Sequence, residues 1–213
     1  MRGHLQLVTD PRRADLLDAV ERAAAGLDSV QVRDKAASAR ELLALAAAVG
    51  RAVRAGPTRV LVNDRVDVAL AVRAHGVQLP ARGVPPLVAR SLLEPWQIIG
   101  VSVHSVEEAV AAADAGADHV VFGHVFGTPS HPGEPPRGLD ALRDAVEAVR
   151  VPVLAIGGVT AANVHAVLST GASGVAVIGA ILDADDAARA ASALRDALDA
   201  FGDVDRPMPD RRD

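Results

Sequence analysis

Several residue types are scarce or missing in this 213-residue chain. It contains no cysteine and no tyrosine, and only one tryptophan and three phenylalanines. The lack of cysteine excludes disulfides, thiolate metal ligands and cysteine nucleophiles. The scarcity of aromatic rings also removes the side chains on which nucleic-acid bases usually stack.

An excess of basic residues and long apolar runs are missing as well. The formal net charge is -5 and the isoelectric point is near 5.8, so there is no basic field to hold nucleic acid. No apolar run is long enough to span a bilayer, and the first residues, MRGHLQLVTDPRR, lack the apolar core of a signal peptide. We therefore expect a cytoplasmic protein with neither a nucleic-acid nor a membrane partner.

The chain does contain an alternation of short β-branched runs and longer stretches rich in Ala, Leu and Arg. Such alternation is typical of βα units around a parallel sheet. The predicted strands are Leu5–Thr9, Ser29–Arg33, Arg59–Asn63, Gly76–Leu79, Gln97–Val101, His119–Phe122, Pro152–Ile156 and Gly174–Ile178. The predicted helices include Arg12–Ala25, Ser38–Ala55, Val66–Ala74, Ser105–Ala115, Leu139–Val149, Ala161–Ser169 and Asp185–Phe201, and a further helix is expected to open at Gly179-Ala180.

Eight such units predict a closed (β/α)8 TIM barrel, because Rossmann and flavodoxin-like sheets normally need fewer. Half of the residues are apolar, which is enough to fill one sizeable core. We expect one compact domain over residues 1–201. The last residues, GDVDRPMPDRRD, are polar and broken by proline, so a disordered tail is predicted over 202–213.

Barrels of this kind carry their chemistry at the carboxyl ends of the strands. Gly157-Gly158 and Gly179-Ala180 follow the seventh and eighth strands, where backbone N–H groups commonly bind phosphate. Arg33 follows the second strand, and its guanidinium suits a carboxylate or a pyrophosphate. The alternatives are tight turns for the glycines and an ion pair with a neighbouring aspartate for Arg33.

His124 stands out among the seven histidines. It lies two residues beyond the apolar run Val120–Phe122, at the predicted catalytic end of the barrel. An imidazole there can take up and return a proton near neutral pH. Asn63-Asp64, after the third strand, offers oxygen ligands for Mg²⁺, although Asp64 is also placed to cap the following helix.

Six motifs, in order along nearly the whole chain, resemble those of the thiamine-phosphate synthase superfamily. They are QVRDK (31–35), VLVNDRVDVAL (60–70), GVSVHSVEEA (100–109), GADHVVFGHVF (116–126), VPVLAIGGV (151–159) and GASGVAVIGAI (171–181). The resemblance implies a barrel of thiamine biosynthesis whose small-molecule substrate is a thiazole phosphate. It also allows for a homodimer.

The superfamily contains Mg²⁺-dependent synthases, which join a pyrimidine pyrophosphate to the thiazole phosphate, and thiazole tautomerases of the TenI type. The synthase pattern has an aspartate where this chain has Gly83, and a lysine where Thr128-Pro129-Ser130-His131 ends. Gln31, Arg33, Lys35, Asn63 and Asp64 keep the synthase pattern. The stretches VQLP (77–80), SVHSVEEA (102–109), FGHVFGT (122–128) and PRG (136–138) instead resemble the tautomerases.

On this basis we expect a thiazole tautomerase, an isomerase that aromatises a thiazole carboxylate phosphate without a cofactor or metal. The resemblance assigns acid/base catalysis to His124. The expected substrate-binding residues are Arg33, Gln78, Ser102, Gly157, Gly158, Gly179 and Ala180, with Gln31, Lys35, Asn63 and Thr128 as further candidates. The alternatives are a synthase, in which Asp64 would bind Mg²⁺, and a non-catalytic regulatory homologue.

Overall fold

A computed structural model describes residues 2–209 of the chain. Eight parallel strands close into a barrel in the order β1 to β8, with β8 paired to β1. The predicted (β/α)8 fold is therefore confirmed. The strands are β1 His4–Val8, β2 Ser29–Val32, β3 Arg59–Asn63, β4 Gly76–Pro80, β5 Ile98–Val103, β6 His119–Gly123, β7 Val153–Ile156 and β8 Gly174–Val177.

Nine α-helices surround the barrel within residues 2–209. They are α1 Leu16–Ala23, α2 Ala39–Ala52, α3 Val66–Ala71, α4 Pro86–Leu92, α5 Val106–Asp114, α6 Gly138–Ala148, α7 Val164–Leu168, α8 Gly179–Leu182 and α9 Ala187–Phe201. No helix among the described residues is long and apolar enough to cross a membrane.

Local sequence signals explain where several helices begin. Ser38 and Glu41 form a capping box at the start of α2, in which each side chain bonds the other's backbone N–H. Helix α9 begins after Asp186, whose carboxylate accepts from Ala188 N and Arg189 N. Helix α1 begins at Leu16, four residues later than predicted, because turns follow Pro11 and Asp10 pairs with Arg12.

The core has two parts, as alternating side chains in barrel strands require. The larger apolar cluster fills the layer between the strands and the helices. A smaller cluster, on the face of the strands that points into the barrel, contains Val8, Val121, Leu154 and Ala176. The barrel interior therefore combines an apolar side with a polar side, which is described below.

The chain after α9 makes defined contacts as far as residue 209. The backbones of Arg2 and Asp203 form an isolated antiparallel β-bridge. Met208 packs against the smaller cluster, and Arg59 donates to the carbonyl of Pro209. Nη1 of Arg206 donates to the carbonyls of Val146 and Val149, at 2.8 and 2.5 Å. These contacts differ from the disorder predicted for residues 202–213, of which 210–213 lie outside the described residues.

Candidate active site

A line of side-chain amides runs through the polar side of the barrel to its carboxyl-terminal rim. Gln6 Nε2 donates to Gln31 Oε1 at 3.0 Å, and Gln31 Nε2 donates to Asn63 Oδ1 at 2.9 Å. Gln6 and Gln31 are buried, so these bonds satisfy amides that would otherwise be costly to bury. Because Asn63 accepts from Gln31 through its oxygen, its NH₂ group is oriented to donate elsewhere.

The end of β2 is positioned by the end of β1. Thr9 Oγ1 accepts from the backbone N–H of Arg33 at 2.8 Å and donates to the Arg33 carbonyl at 3.2 Å. Burial lowers the pKa of Arg33, against the opposing effect of Asp10 and Asp34.

Neither nearby carboxylate is available as a close partner for Arg33. Asp10 is paired with Arg12 at 2.6 Å, and Asp34 accepts from the backbone N–H groups of Ala36 and Ala37. Among residues 2–209, the guanidinium of Arg33 makes no hydrogen bond or ion pair. A half-buried cation without a close counter-ion suits an anionic ligand. Lys35, two residues further on, is exposed.

Gln78 lies below the rim and is fully buried. Its Nε2 donates to Ser102 Oγ at 3.1 Å, and its Oε1 is 3.2 Å from His119 Nε2. Burial lowers the pKa of His119 to about 3, so its ring is neutral and Nε2–H donates to Gln78. A Cβ at Gly100 would overlap both side chains, so this glycine makes room for the pair. Ser102 is half-buried and reaches the surface of the rim, whereas Gln78 lies behind it without exposure.

His124 lies at the base of the loop between β6 and α6, and its residue surface is 3% exposed. The two residues after His124 continue the pairing of β6 with β7. Val125 N donates to Ile156 O, and Phe126 N donates to Gly157 O. The carbonyl of His124 accepts from Arg137 N at 2.9 Å. These bonds close the loop at its base, so residues 127–136 project from a fixed platform.

Two imidazole rings and one backbone carbonyl lie around the His124 ring and the peptide that precedes it. His104 Nδ1 is 2.7 Å from the carbonyl of Gly123, and it donates because a carbonyl can only accept. The rings of His124 and His131 stack with centroids 4.7 Å apart and planes within 9°. His124 Nε2 lies 3.4 Å from the backbone carbonyl of Glu134. In the sequence, His104 stands within SVHSVEEA and His131 in the position of the synthase lysine, but neither they nor Glu134 were predicted as site residues.

Gly157 and Gly158 have positive φ angles of 99° and 66°. A Cβ on Gly157 would overlap the Cβ of His124, and one on Gly158 would lie 2.5 Å from the carbonyl oxygen of Gly127. Both glycines therefore allow the loop after β7 to pack against the loop after β6. The structure accordingly brings two predicted site elements, His124 and the Gly157-Gly158 turn, into direct contact.

Gly179 and Ala180 open α8, a single turn directly after β8. A Cβ on Gly179 would overlap a carboxylate oxygen of Asp183, at the end of the same turn. Thr128 lies in the β6–α6 loop, where its carbonyl accepts from His131 N at 3.1 Å. These residues lie at the same end of the barrel as Arg33 and Asn63.

The residues that could hold Mg²⁺ lie at the ends of β3 and β4. Asp64 is exposed, with a φ of 64°, and its backbone N–H donates to Gln78 O. A Cβ built on Gly83 would be 3.2 Å from Asp64 Oδ1. One carboxylate with substrate phosphate oxygens and water is a common donor set for Mg²⁺. Asp64 therefore fits this ion, and it does so without a second carboxylate from position 83.

The closed barrel defines a compact (β/α)8 protein whose rim, at the carboxyl ends of the strands, is suited to anionic ligands. Comparison with known proteins identifies its family. Residues 5–181 match the family model described as thiamine monophosphate synthase, TMP-TENI. The chain belongs to this family.

Curated relatives match over most of the chain. A thiamine-phosphate synthase from Roseiflexus castenholzii is 44% identical over 200 residues, which are 92% of this chain and 88% of the relative. The thiamine-phosphate synthase of Pyrococcus furiosus is 41% identical over 192 residues, covering 90% and 92% of the two chains.

Solved structures agree with the fold. Thiamine phosphate pyrophosphorylase from Pyrococcus furiosus superposes with a TM-score of 0.85 at 39% identity, covering 94% of this chain and 97% of that one. A 3-hexulose-6-phosphate synthase superposes with a TM-score of 0.73 at 24% identity, covering 93% and 100%. The second likeness shows the fold alone.

These relatives contradict the expectation of a thiazole tautomerase, and with it the class of isomerase. They favour the alternative, a transferase of the thiamine-phosphate synthase type. The expectation rested on short stretches around His124 and Pro80, whereas the identity extends along nine-tenths of the chain. Short strand-end motifs are weak evidence for a reaction, because one barrel supports many chemistries through its loops.

Proposed function

We propose that this chain is a thiamine-phosphate synthase, a transferase that couples hydroxymethylpyrimidine pyrophosphate to a thiazole phosphate. The main support is the 44% identity, over 92% of the chain, to a relative with that name. The rim adds support, because Gln31, Arg33, Lys35, Asn63 and Asp64 keep the synthase pattern and lie at the ends of β2 and β3.

The reaction breaks the bond between the pyrimidine methylene carbon and the pyrophosphate oxygen, and forms a bond from that carbon to the thiazole nitrogen. The leaving group takes the bonding electron pair, so negative charge grows on the departing pyrophosphate. Cations placed there in advance stabilise this charge in the transition state. Arg33 is our candidate for this contact, with Lys35 on the same loop.

Arg33 is suited to the task because its close surroundings leave the guanidinium unpaired among residues 2–209. Half-burial weakens solvent screening, so contact with pyrophosphate is stronger than at an exposed arginine. The NH₂ group of Asn63 is held in place through Gln31 and would donate to the same ligand.

The thiazole phosphate would occupy the opposite side of the rim. Backbone N–H groups of Gly157, Gly158, Gly179 and Ala180 are our candidates to bind its phosphate, as loops after the last two strands often do in this fold. His124 packs against Gly157 and would line the space between the two substrates, with Ser102 and Thr128 at its edges.

Asp64 would hold Mg²⁺ at the pyrophosphate side of the rim, where the ion neutralises charge on the leaving group. The partner carboxylate of the synthase pattern is Gly83 here, and the loop lysine is His131. The site therefore supplies less fixed charge than the pattern does. We expect a stronger dependence on Mg²⁺ concentration than in a site with two carboxylates.

The test is to incubate the purified protein with both substrates and Mg²⁺, and to quantify thiamine phosphate by chromatography. Arg33→Ala should lower kcat/KM by about 10- to 100-fold, since a hydrogen bond to a charged group contributes about 1.5–3 kcal/mol. Arg13→Ala is the matched control, because Arg13 lies on the same loop after β1 and pairs with Asp15, so its loss leaves Asp10 bound to Arg12.

No product at any Mg²⁺ concentration would overturn the proposal. Calorimetry with each substrate distinguishes the next explanation: tight binding of both without coupling indicates the non-catalytic regulatory homologue. Equal losses in Arg33→Ala and Arg13→Ala would remove Arg33 from the pyrophosphate site.

A further inference from the structure

The loop between β6 and α6 carries three side chains with metal-ligand atoms in one place. One nitrogen of His124, one nitrogen of His131 and one carboxylate oxygen of Glu134 lie within 4.8 Å of one another. His131 Nδ1 is 3.6 Å from Glu134 Oε1. Neither His131 nor Glu134 is assigned a part in the proposed coupling reaction.

We propose that His124, His131 and Glu134 form a binding site for a first-row transition metal ion such as Zn²⁺. Two imidazoles and one carboxylate are ligands that Zn²⁺ and Co²⁺ favour, whereas Mg²⁺ prefers oxygen atoms alone. Three protein ligands leave a fourth position open to water or to an anionic ligand. The site is separate from the Mg²⁺ ligand Asp64, which follows β3.

The backbone holds two of the three ligands together. His131 N donates to Thr128 O at 3.1 Å and Glu134 N donates to His131 O at 3.3 Å, so consecutive turns bring both side chains to one side of the loop. His124 is fixed from below by the bonds to β7 and α6 described above. The site thus joins a rigid, buried ligand to two on a projecting loop.

The orientation of the two imidazole rings indicates which side chain must move when an ion binds. The two imidazole planes are parallel within 9°, while an ion bound by both nitrogens lies in the plane of each ring. One ring therefore has to turn. His131 is the one that can, because its side chain is 41% exposed, whereas His124 is buried. Glu134, with a side chain 60% exposed, can follow the same movement.

A metal here would place positive charge in the loop where the synthase pattern has a lysine. The sequence has His131 at that position, so a bound divalent ion would supply the charge that the lysine carries. This consequence rests on the proposed function. The binding site itself does not, because it is argued from the three side chains alone.

The test uses the full chain, freed of metal by chelation and assayed without substrates. Zn²⁺ is titrated by calorimetry, and Co²⁺ by its visible ligand-field absorption, which reports coordination number. We expect one ion per chain, with tetrahedral-type Co²⁺ absorption. His131→Ala and Glu134→Gln should each weaken binding by about 10-fold or more, as loss of one of three ligands implies.

Matched controls separate this site from surface histidines and acids. His165→Ala and Glu147→Gln remove the same residue types from α7 and α6, and should leave the affinity unchanged. Circular dichroism of each variant confirms folding. Binding that is unchanged in His131→Ala, equally weakened in the controls, or far below one ion per chain would overturn the proposal. None of these results depends on whether the chain couples its substrates in Mg²⁺.

Discussion

Gly83 faces the carboxylate of Asp64 across the ends of β3 and β4: a Cβ at position 83 would lie 3.2 Å from Asp64 Oδ1. The same Cβ would be 2.8 Å from Cγ and Cδ of Pro80, too close for an undistorted contact. The proline ring therefore occupies the space that a side chain at 83 would need. Because Pro80 fills this space, position 83 contributes no carboxylate beside Asp64.

Restoring the second carboxylate should strengthen Mg²⁺ binding. In Pro80→Gly/Gly83→Asp the proline ring is gone, and the new carboxylate can reach the ion beside Asp64. We expect the Mg²⁺ concentration for half-maximal coupling to fall by about 10-fold, since affinity rises with the number of charged ligands. Kinetic titration with Mg²⁺ measures this.

Gly83→Asp alone should increase the affinity for Mg²⁺ less than the double variant does, because its Cβ overlaps the ring of Pro80. Gly56→Asp adds the same charge in open space and should leave the Mg²⁺ requirement as it is. An unchanged Mg²⁺ titration in the folded double variant would remove position 83 from the metal site.

The close approach of Gly157 to His124 predicts a site-specific cost for alanine. Gly157→Ala meets both a φ of 99° and an overlap with His124, whereas Gly116→Ala meets a φ of 91° and open space. Backbone strain should cost both variants about 1–2 kcal/mol of unfolding free energy. Overpacking adds about 1–3 kcal/mol for Gly157 alone.

Urea denaturation of the two variants measures the difference. Coupling activity should fall in Gly157→Ala and stay near wild type in Gly116→Ala, because only the first displaces His124. Equal stabilities would show that the β6–α6 loop moves away without cost, and that the contact is not rigid.

Two buried histidines predict sensitivity to acid. Burial lowers the pKa of His4 to about 4 and of His119 to about 3, while in the unfolded chain both titrate near 6.5. Above pH 6.5 the two histidines are unprotonated in both the folded and the unfolded chain, so they do not make the free energy of unfolding depend on pH there. Below it the unfolded chain binds protons first, and the fold loses stability until about pH 4 for His4 and about pH 3 for His119.

The expected loss is on the order of 3 kcal/mol for His4 alone, at ~1.4 kcal/mol per unit of pKa difference. Denaturation at pH 7, 5.5 and 4.5 measures it. His119→Gln keeps a donor for Gln78 and should flatten the decline, although it lowers stability at pH 7. A decline as steep in this variant as in the wild type would assign the acid sensitivity to other groups.

The segment after α9 should stabilise the barrel through Arg206. Its guanidinium donates to the carbonyls of Val146 and Val149, at the end of α6. Arg206→Ala should lower the free energy of unfolding by about 1.5–3 kcal/mol, the usual contribution of a hydrogen bond to a charged group. Arg189→Ala, at an exposed position on α9, is the control. Equal stability of the two variants would favour the disordered tail expected from the sequence.

Much of the fold was predictable because its signals are local. The apolar runs predicted every strand end to within one residue except the end of β5, which differs by two, and β3 agreed at both ends. Helix α4 was missed, because it begins at Pro86 after another proline and exposes Leu87 and Leu92. A short helix with so narrow an apolar face lacks the periodicity from which helices are predicted.

The reaction class was harder to predict. Both branches of the family share the barrel, and the motifs near His124 favoured one branch while the overall similarity favours the other. Residue identity at a strand end cannot decide between them, because the chemistry depends on how several loops combine in space.

The sequence by itself determined the eight βα units, the rim on which the candidate site residues lie and the family. These follow from the pattern of apolar and polar residues and from motifs a few residues long. Only the tertiary structure decided that Gly83 faces Asp64, that Gly157 packs against His124, and that Gln78 is buried behind Ser102. Such pairs come from different βα units and meet when the barrel closes, so no local stretch of the chain encodes their contact.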